Sequence, residues 1–197
     1  MGRWEPNARG RLEQAALDLY LERGFERTSV AEIAERAGLT ERTFFRHYAD
    51  KREVLFAGSS ALQELLVGTV ARAPEPAPPM EAVAAALRAA AAVLQERQEH
   101  AHRRQAVIAA NVELQERELI KLASLSAALA EALRRRGVDD DSASLAAEAG
   151  IAVFKIAFRR WTEQAEQTGQ ADQAGQKDLS QFIGESFAGL KAVTAGT

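Results

Sequence analysis

The sequence predicts an all-α chain of about nine helices, and three observations carry that reading. Alanine supplies much of the 47% hydrophobic content, whereas aromatic residues are only 6% and β-branched residues are sparse, a mixture that favours helix over sheet. Apolar residues recur at helical spacing through nearly every segment. The breaks between segments are Gly, Pro or Asp stops, and none has the alternation of a strand.

The first helix is expected from about Ala8 to Arg23, with Leu12, Ala15, Ala16, Leu19 and Tyr20 on one stripe, Gly24 as its stop and Phe25 packed beneath it. The second begins in TSVAEIAERAG, where Ser29 and Glu32 have the S-x-x-E spacing of a capping box and Gly38 closes the helix. A short third helix runs from an N-cap at Thr40 to about Tyr48, and a fourth from Lys51 to about Val70. It ends at APEPAPP, which holds four of the five prolines. Further helices are expected at about 80–98, 101–110, 113–136, 142–167 and 178–193, separated by HAH, Asn111, GVDDD and TGQADQAGQ. No repeat of fixed period occurs. The division into domains is placed between residues 52 and 53, giving 1–52 and 53–197.

Composition excludes several function classes. There is no cysteine, so disulfides, thiolate metal sites and cysteine nucleophiles are ruled out. No G-x-S-x-G, P-loop or dinucleotide fingerprint occurs, and no catalytic residue, metal site or cofactor is expected. His100 and His102 are two apart, which points them to different sides of a helix, so they make a poor metal pair. Arg134, Arg135 and Arg136 precede Gly137 at a helix end, where they favour the dipole, and Asp139–Asp141 before Ser142 read as the next helix start. The first ten residues carry no apolar signal core, and the most apolar window, AVAAALRAAAAVLQ, is interrupted by Arg88; a cytoplasmic, nucleoid-associated protein with no membrane partner is expected. The net charge is -3, but it divides into +1 over residues 1–52 and -4 over 53–197. What DNA meets is the field of one face, so this balance permits DNA binding.

Within residues 33–51, IAERAGLTERTFFRHYADK, a helix-turn-helix is legible. Ala34 is small where two helices approach, and Gly38 can take a positive φ in the turn. On the third helix Phe44 and Tyr48 share a face suited to packing on Ile33 and the first helix. Arg42 and Arg46 share another, flanked by Glu41, Thr43, Phe45 and His47, and that face suits a major groove. Arg42 and Arg46 can each donate bidentate bonds to guanine, Thr43 can offer a hydroxyl or methyl, and Glu41 can accept from cytosine. Ser29, Thr40, His47 and Lys51 suit phosphates.

The run TSVAEIAERAGLTERTFFRHYADKREVL resembles the DNA-binding domain of the TetR family of transcriptional regulators, whose pattern reads TSVxxIAxxAGVSxxTLYxHFxxKxxLL. The resemblance covers about the first quarter of the chain and fixes many positions in register. It implies that Ser29, Thr40, Thr43, His47 and Lys51 face DNA, and that a C-terminal domain of about six helices binds a small-molecule effector and dimerises through the last two. Two departures stand out. Position 45, often tyrosine, is Phe45, which lacks the hydroxyl that reaches a phosphate; position 42, often small, is Arg42, which gains reach toward base edges.

Stripes on the later helices give candidates for that domain. Phe154, Phe158 and Trp161 form one stripe, and Phe182, Ile183 and Phe187 another, suited either to an intramolecular core or to a four-helix bundle of two subunits. The resemblance points to the dimer, with Phe154, Trp161, Phe182, Ile183 and Phe187 at the interface. By helix face, an effector pocket is expected among Leu62, Leu66, Leu87, Leu94, Val107, Asn111, Leu122, Phe154 and Phe158, with Asn111 either its sharpest polar candidate or simply the N-cap of the helix starting at Val112. The function expected is a homodimeric repressor of a pseudo-palindromic operator, released by an unknown effector and not an enzyme. The alternatives are a DNA-bound helical scaffold without an effector, or a helical ligand-binding protein or enzyme with a structural N-terminal domain.

Overall fold

The structure, a computed structural model, describes residues 7–168 and 177–195. Among them are nine α-helices and no strand: α1 (Ala8–Arg23), α2 (Val30–Arg36), α3 (Glu41–His47), α4 (Ser59–Ala71), α5 (Pro79–Gln95), α6 (Gln98–Ala109), α7 (Val112–Arg135), α8 (Asp140–Thr168) and α9 (Leu179–Ala195). A single 3-10 turn, Glu53–Phe56, precedes α4.

Three boundaries differ from the sequence expectation. The fourth helix is broken: the 3-10 turn buries Val54, Leu55 and Phe56 together, which a continuous helix would distribute around its circumference. The break before α6 falls at Glu96–Arg97 rather than at HAH, because histidine, unlike Gly or Pro, does not stop a helix, and both histidines lie inside α6. APEPAPP is an ordered turn, closed by the Ala77 N–H on the Pro74 carbonyl at 2.9 Å, with Pro79 in the first turn of α5. TGQADQAGQ begins at the last residue of α8, and the rest of it lies outside the described residues.

The chain divides into two compact units, Met1–Ser59 with Arg103–Glu118, and Ser60–His102 with Leu119–Thr197. The sequence division between 52 and 53 differs in that the first unit runs on to Ser59 and takes in parts of α6 and α7. The first core contains Leu12, Leu19, Phe25, Ile33, Phe44, Phe56, Ile108 and Leu114. Val107 belongs to it as well, and Asn111 spends its side-chain amide on the Val107 carbonyl at 3.2 Å. Neither lines a pocket in the second unit, so both leave the predicted ligand set.

In the second unit the alanine-rich face of α5 lets helices close on one another. Ala82, Ala86, Ala90 and Ala91 are all buried, and Gly150 of α8 comes so near that a methyl group placed on it would overlap Val83 Cγ1. Leu62, Leu66, Leu87 and Phe154 line a narrow apolar cleft with Ala90, Leu125 and Ile151, too tight to admit a water molecule. Leu94, Leu122 and Phe158 pack against the same core without lining it. The aromatic stripes are spent inside the chain: Trp161 and Ile183 are fully buried, Phe154 and Phe182 nearly so, and Phe187 packs against them. Periodicity identified the inward face of α8 and α9, but that face meets the chain's own helices: Phe154, Trp161, Phe182 and Ile183 are buried there, while Phe187 is half-buried and keeps exposed surface.

Helix ends follow local chemistry. The Asp139 carboxylate accepts the Ser142 N–H at 3.0 Å at the start of α8, which also holds its pKa below the ordinary carboxylate value. Arg136 reaches back to the Val70, Ala73 and Pro74 carbonyls and caps α4, while Arg134 and Arg135 pair with Glu131. An 18-residue window within Glu53–Ala71 reaches a mean hydropathy of 1.4, apolar enough by length and composition to cross a membrane. The stretch is interrupted at Ala57–Gly58, and Val54, Leu55, Phe56, Leu66 and Val70 are the residues it buries.

Candidate nucleic-acid interface

The turn between α2 and α3 is built by backbone hydrogen bonds that the sequence encodes locally. Gly38 sits at φ 65°. Its N–H bonds the Glu35 carbonyl at 2.9 Å, and the Leu39 N–H bonds the Ala34 carbonyl at 2.8 Å, the pair of bonds that ends a helix through a left-handed residue. A side chain at position 38 would be strained in that conformation. Ala34 is buried at the approach of the helices, as its size implies.

Both N-termini are capped as expected. Ser29 Oγ accepts the Glu32 N–H at 3.2 Å while the Glu32 carboxylate accepts the Ser29 N–H at 2.8 Å. That backbone donor, with the Ser29 hydroxyl and Arg23, holds the Glu32 pKa below its ordinary value. Thr40 Oγ1 accepts the Thr43 N–H at 3.2 Å and lies 3.1 Å from Thr43 Oγ1.

The inner face of α3 anchors it. Phe44 is fully buried, Tyr48 packs on it with ring centroids 5.5 Å apart, and the Tyr48 hydroxyl donates to Glu13 at 3.0 Å. Burial and the Glu13 charge both raise the Tyr48 pKa, so the phenol stays a donor. The outer face presents Glu41, Arg42, Phe45, Arg46 and His47 to solvent, with Thr43 half-buried beside them. Phe45 is 55% exposed, and its ring stands edge-on to Phe44 at 5.5 Å, so packing fixes its direction.

Charge pairing singles this face out. Elsewhere in the first unit Arg23 pairs with Glu32, Arg36 with Glu22, Arg52 with Asp50 and Glu113, Arg103 with Asp18, Arg104 with Glu118 and Arg117 with Glu53. Arg42 and Arg46 make no ion pair or hydrogen bond among the described residues, and their donors point to solvent. Arg27, in the turn before α2, donates only to the Arg23 carbonyl, at 2.7 Å, and has no carboxylate partner among the described residues. Sequence reasoning passed over it because it lies between helices, where periodicity gives no face.

Lys51 is placed otherwise than predicted. Its ammonium donates to the Phe25 carbonyl at 2.9 Å and the Thr28 carbonyl at 3.0 Å, with Glu26 at 3.4 Å, and sits 4.3 Å from the Phe25 ring centroid. All three of its donors are occupied by the loop between α1 and α2, so it is a structural clamp rather than a free phosphate ligand. The Tyr20 hydroxyl donates to the Lys51 carbonyl at 2.6 Å and fixes the other end of the same residue.

Comparison with known proteins agrees with this geometry. Residues 13–57 match the family model for bacterial regulatory proteins of the tetR family, and residues 77–193 match that of the MftR C-terminal domain. The HTH-type transcriptional regulator TcmR of Streptomyces glaucescens is 40% identical over 81 residues, 41% of this chain; the match spans only 36% of TcmR. A transcriptional regulator of Pseudomonas aeruginosa PAO1 superposes with a TM-score of 0.62 at 20% identity over 98% of this chain and 94% of its own. FadR of Bacillus subtilis, solved with stearoyl-CoA, gives 0.59 at 17% over 91% and 95%, and SmeT, the repressor of the Stenotrophomonas maltophilia efflux pump SmeDEF, gives 0.55 at 18% over 94% and 89%. These structural likenesses are of fold. With a helix-turn-helix that presents two unpaired arginines and family models matching both parts of its length, the chain belongs to the TetR family of transcriptional regulators.

Proposed function

We propose that the protein is a homodimeric repressor that binds a pseudo-palindromic operator in the cytoplasm, at the nucleoid, and is released by a small-molecule effector. The observation that carries the DNA reading is the outer face of α3, where Arg42 and Arg46, alone among the arginines of their helix-turn-helix, have no partner for their donors among the described residues. Arg42 and Arg46 read base edges, Phe45 meets a thymine methyl or sugar, and Thr43, Glu41 and His47 lie beside them. Ser29, Thr40 and Arg27 face phosphates.

Dimerisation is assigned to the outward faces of α8 and α9. Leu145 is 71% and Ile156 47% exposed on one, and Gly184, Ala188 and Ala192 recur every fourth residue on the other, all exposed. A second copy covers this surface by self-complementary packing about a two-fold axis. Effector release is supported by relatives: SmeT is named a repressor of a drug efflux pump, and FadR was solved with an acyl-CoA. Release requires an effector that binds the DNA-incompetent state more tightly. A second reading, a DNA-bound scaffold with no effector, draws on the tightness of the cleft, which admits no water as it stands.

The test is a footprint on the DNA flanking the protein's own coding region, followed by Arg42→Ala on the site found. Base reading by Arg42 predicts a loss of about 1–3 kcal/mol on the operator and little change on scrambled DNA. Equal losses on both refute base reading, absence of any footprint refutes the operator, and a monomeric mass at micromolar concentration refutes the dimer.

A further inference from the structure

The interior of the second unit holds a polar group that packing alone does not explain. Trp161 is fully buried, and its indole N–H has no hydrogen-bond partner among the described residues. A buried donor without an acceptor forfeits the hydrogen bond it makes to water in the unfolded chain, so native proteins keep few of them, and each one requires a reason. A phenylalanine or leucine here would fill space without that cost.

The surroundings suggest the reason. Phe154, Phe158 and Trp161 form a continuous ring ladder along α8, with successive centroids 5.5 Å apart. The ladder begins at the cleft, since Phe154 is one of its walls, and runs through Phe158 to Trp161, which lies beyond the walls and carries the orphan N–H. Every residue lining the cleft, Leu62, Leu66, Leu87, Ala90, Leu125, Ile151 and Phe154, is hydrocarbon. Along the opposing helix, α5 offers alanine methyls at positions 86, 90 and 91, which fill less volume than the leucines they alternate with.

We infer that this cleft and the indole N–H together form a binding site for an uncharged, largely apolar molecule that carries a single strong hydrogen-bond acceptor, such as a ketone, ester or amide carbonyl. The apolar body of the ligand spreads the leucines from Phe154 and Phe158, and its acceptor takes the Trp161 N–H. An ionised ligand is rejected, because a charge among these walls finds no counter-charge and loses its hydration. The cleft as it stands admits no water-sized body, so the ligand opens it by turning the phenylalanine rings. The inference rests on the effector reading above and specifies the chemistry of the effector.

Only two tryptophans occur, Trp4 and Trp161, so Trp4→Phe leaves a full-length protein with one indole N–H. Three isosteric probes test the class: benzylacetone with a ketone, isopentylbenzene with no acceptor, and hydrocinnamate with a carboxylate. With nitrogen-15 labelling, benzylacetone is expected to move the single indole N–H resonance downfield, isopentylbenzene to leave it without that shift, and hydrocinnamate not to bind. Trp161→Phe in the same background weakens benzylacetone about tenfold and leaves isopentylbenzene unchanged, the ratio expected for one neutral hydrogen bond at 1.4 kcal/mol per decade. Failure of benzylacetone to bind, an indole resonance that responds alike to ketone and hydrocarbon, or binding of the carboxylate overturns the inference. The resonance is read in a protein that keeps Trp161, so the test survives if Trp161→Phe does not fold. A ketone that binds as described while leaving operator affinity unchanged supports the site and refutes effector release.

Discussion

Lys51→Met separates a structural role from a DNA-contacting one, because the two predict opposite results in two assays. Methionine keeps most of the aliphatic stem and removes the ammonium. The wild-type ammonium makes two hydrogen bonds of 2.9 and 3.0 Å and a longer one of 3.4 Å to loop carbonyls, and it lies 4.3 Å from the Phe25 ring centroid. Two good bonds at about 1 kcal/mol net each, with about 0.5–1 kcal/mol for the cation over the ring, give a loss of about 2–3 kcal/mol. The long bond is omitted, since its acceptor is exposed and recovers water. Urea denaturation should show this loss as a lower midpoint at unchanged slope. The salt dependence of operator binding should keep its slope, because no phosphate contact is lost. If Lys51 neutralises a phosphate instead, the slope of log K against log salt falls by about 1.8, one contact from each subunit of the dimer, and stability hardly changes, and that pair of results refutes the clamp.

Phe45→Tyr restores the hydroxyl that many relatives carry and should tighten binding to any DNA by about 0.5–1.5 kcal/mol in gel shifts; a gain confined to one sequence would contradict a phosphate role for that hydroxyl. Glu32 has its pKa held below the ordinary 4.5 by the Ser29 backbone donor, then by the Ser29 hydroxyl and Arg23. A depressed carboxylate contributes stability above its unfolded pKa and loses it as pH falls, so Glu32→Gln, which still caps α2 but does not titrate, should flatten the loss of stability below about pH 4.5. The flattening is partial, because Asp50, held down by Arg52, and Glu22, held down by Arg36, decline in the same window. Gly150→Ala gains about 1 kcal/mol of helix propensity but places a methyl against Val83, which is fully buried and stiff. Overpacking should win by about 1–2 kcal/mol in thermal denaturation, and Val83→Ala should relieve it; a more stable single variant would refute the close approach.

The first unit was more legible in the sequence than the second, because its determinants are local. A capping box, an N-cap and a left-handed glycine are each fixed by residues within four positions of one another, so Ser29, Glu32, Thr40 and Gly38 could be placed before any tertiary contact was known. Lys51 was misread because its partners lie between 23 and 26 residues earlier, in a loop whose carbonyls leave no mark in the sequence. On α8 and α9 periodicity found the buried face but could not name what buries it: one stripe of aromatics serves an intramolecular core or a subunit interface equally well. Val107 failed for a related reason. Its helix is divided between the two units, and position on a helix face does not tell which core the residue enters. Trp161 drew attention as a bulky apolar residue, whereas the informative atom is its unpaired nitrogen, visible only once the neighbours are in place.

A chain of net charge -3 approaching a polyanion needs a local cause for its attraction, and the pairing pattern supplies one. Paired arginines contribute little field beyond the Debye length, since each carries its carboxylate in ion-pair contact, as in Arg36–Glu22 at 2.9 Å and Arg103–Asp18 at 2.5 Å. Glu22 and Asp18 have their pKa values lowered despite the opposing effect of burial on Asp18, so these pairs stay ionised on both sides at neutral pH and remain closed. What is left without a carboxylate among the described residues of the helix-turn-helix and the loops on either side of it is Arg27, Arg42, Arg46 and the loop-clamped Lys51, with Glu41 as the single nearby acid on α3. Pairing therefore does two things with the same residues: it holds the helix-turn-helix together and it removes competing cations from its surface. A helix-turn-helix with many free arginines would bind any duplex strongly, and its preference for one operator would be a small increment on a large unspecific term. Keeping the free cations few, and placing two of them one turn apart on the face that enters the groove, makes base contacts a larger share of the total and gives Arg42, absent from the usual family pattern, leverage on which sequence is chosen.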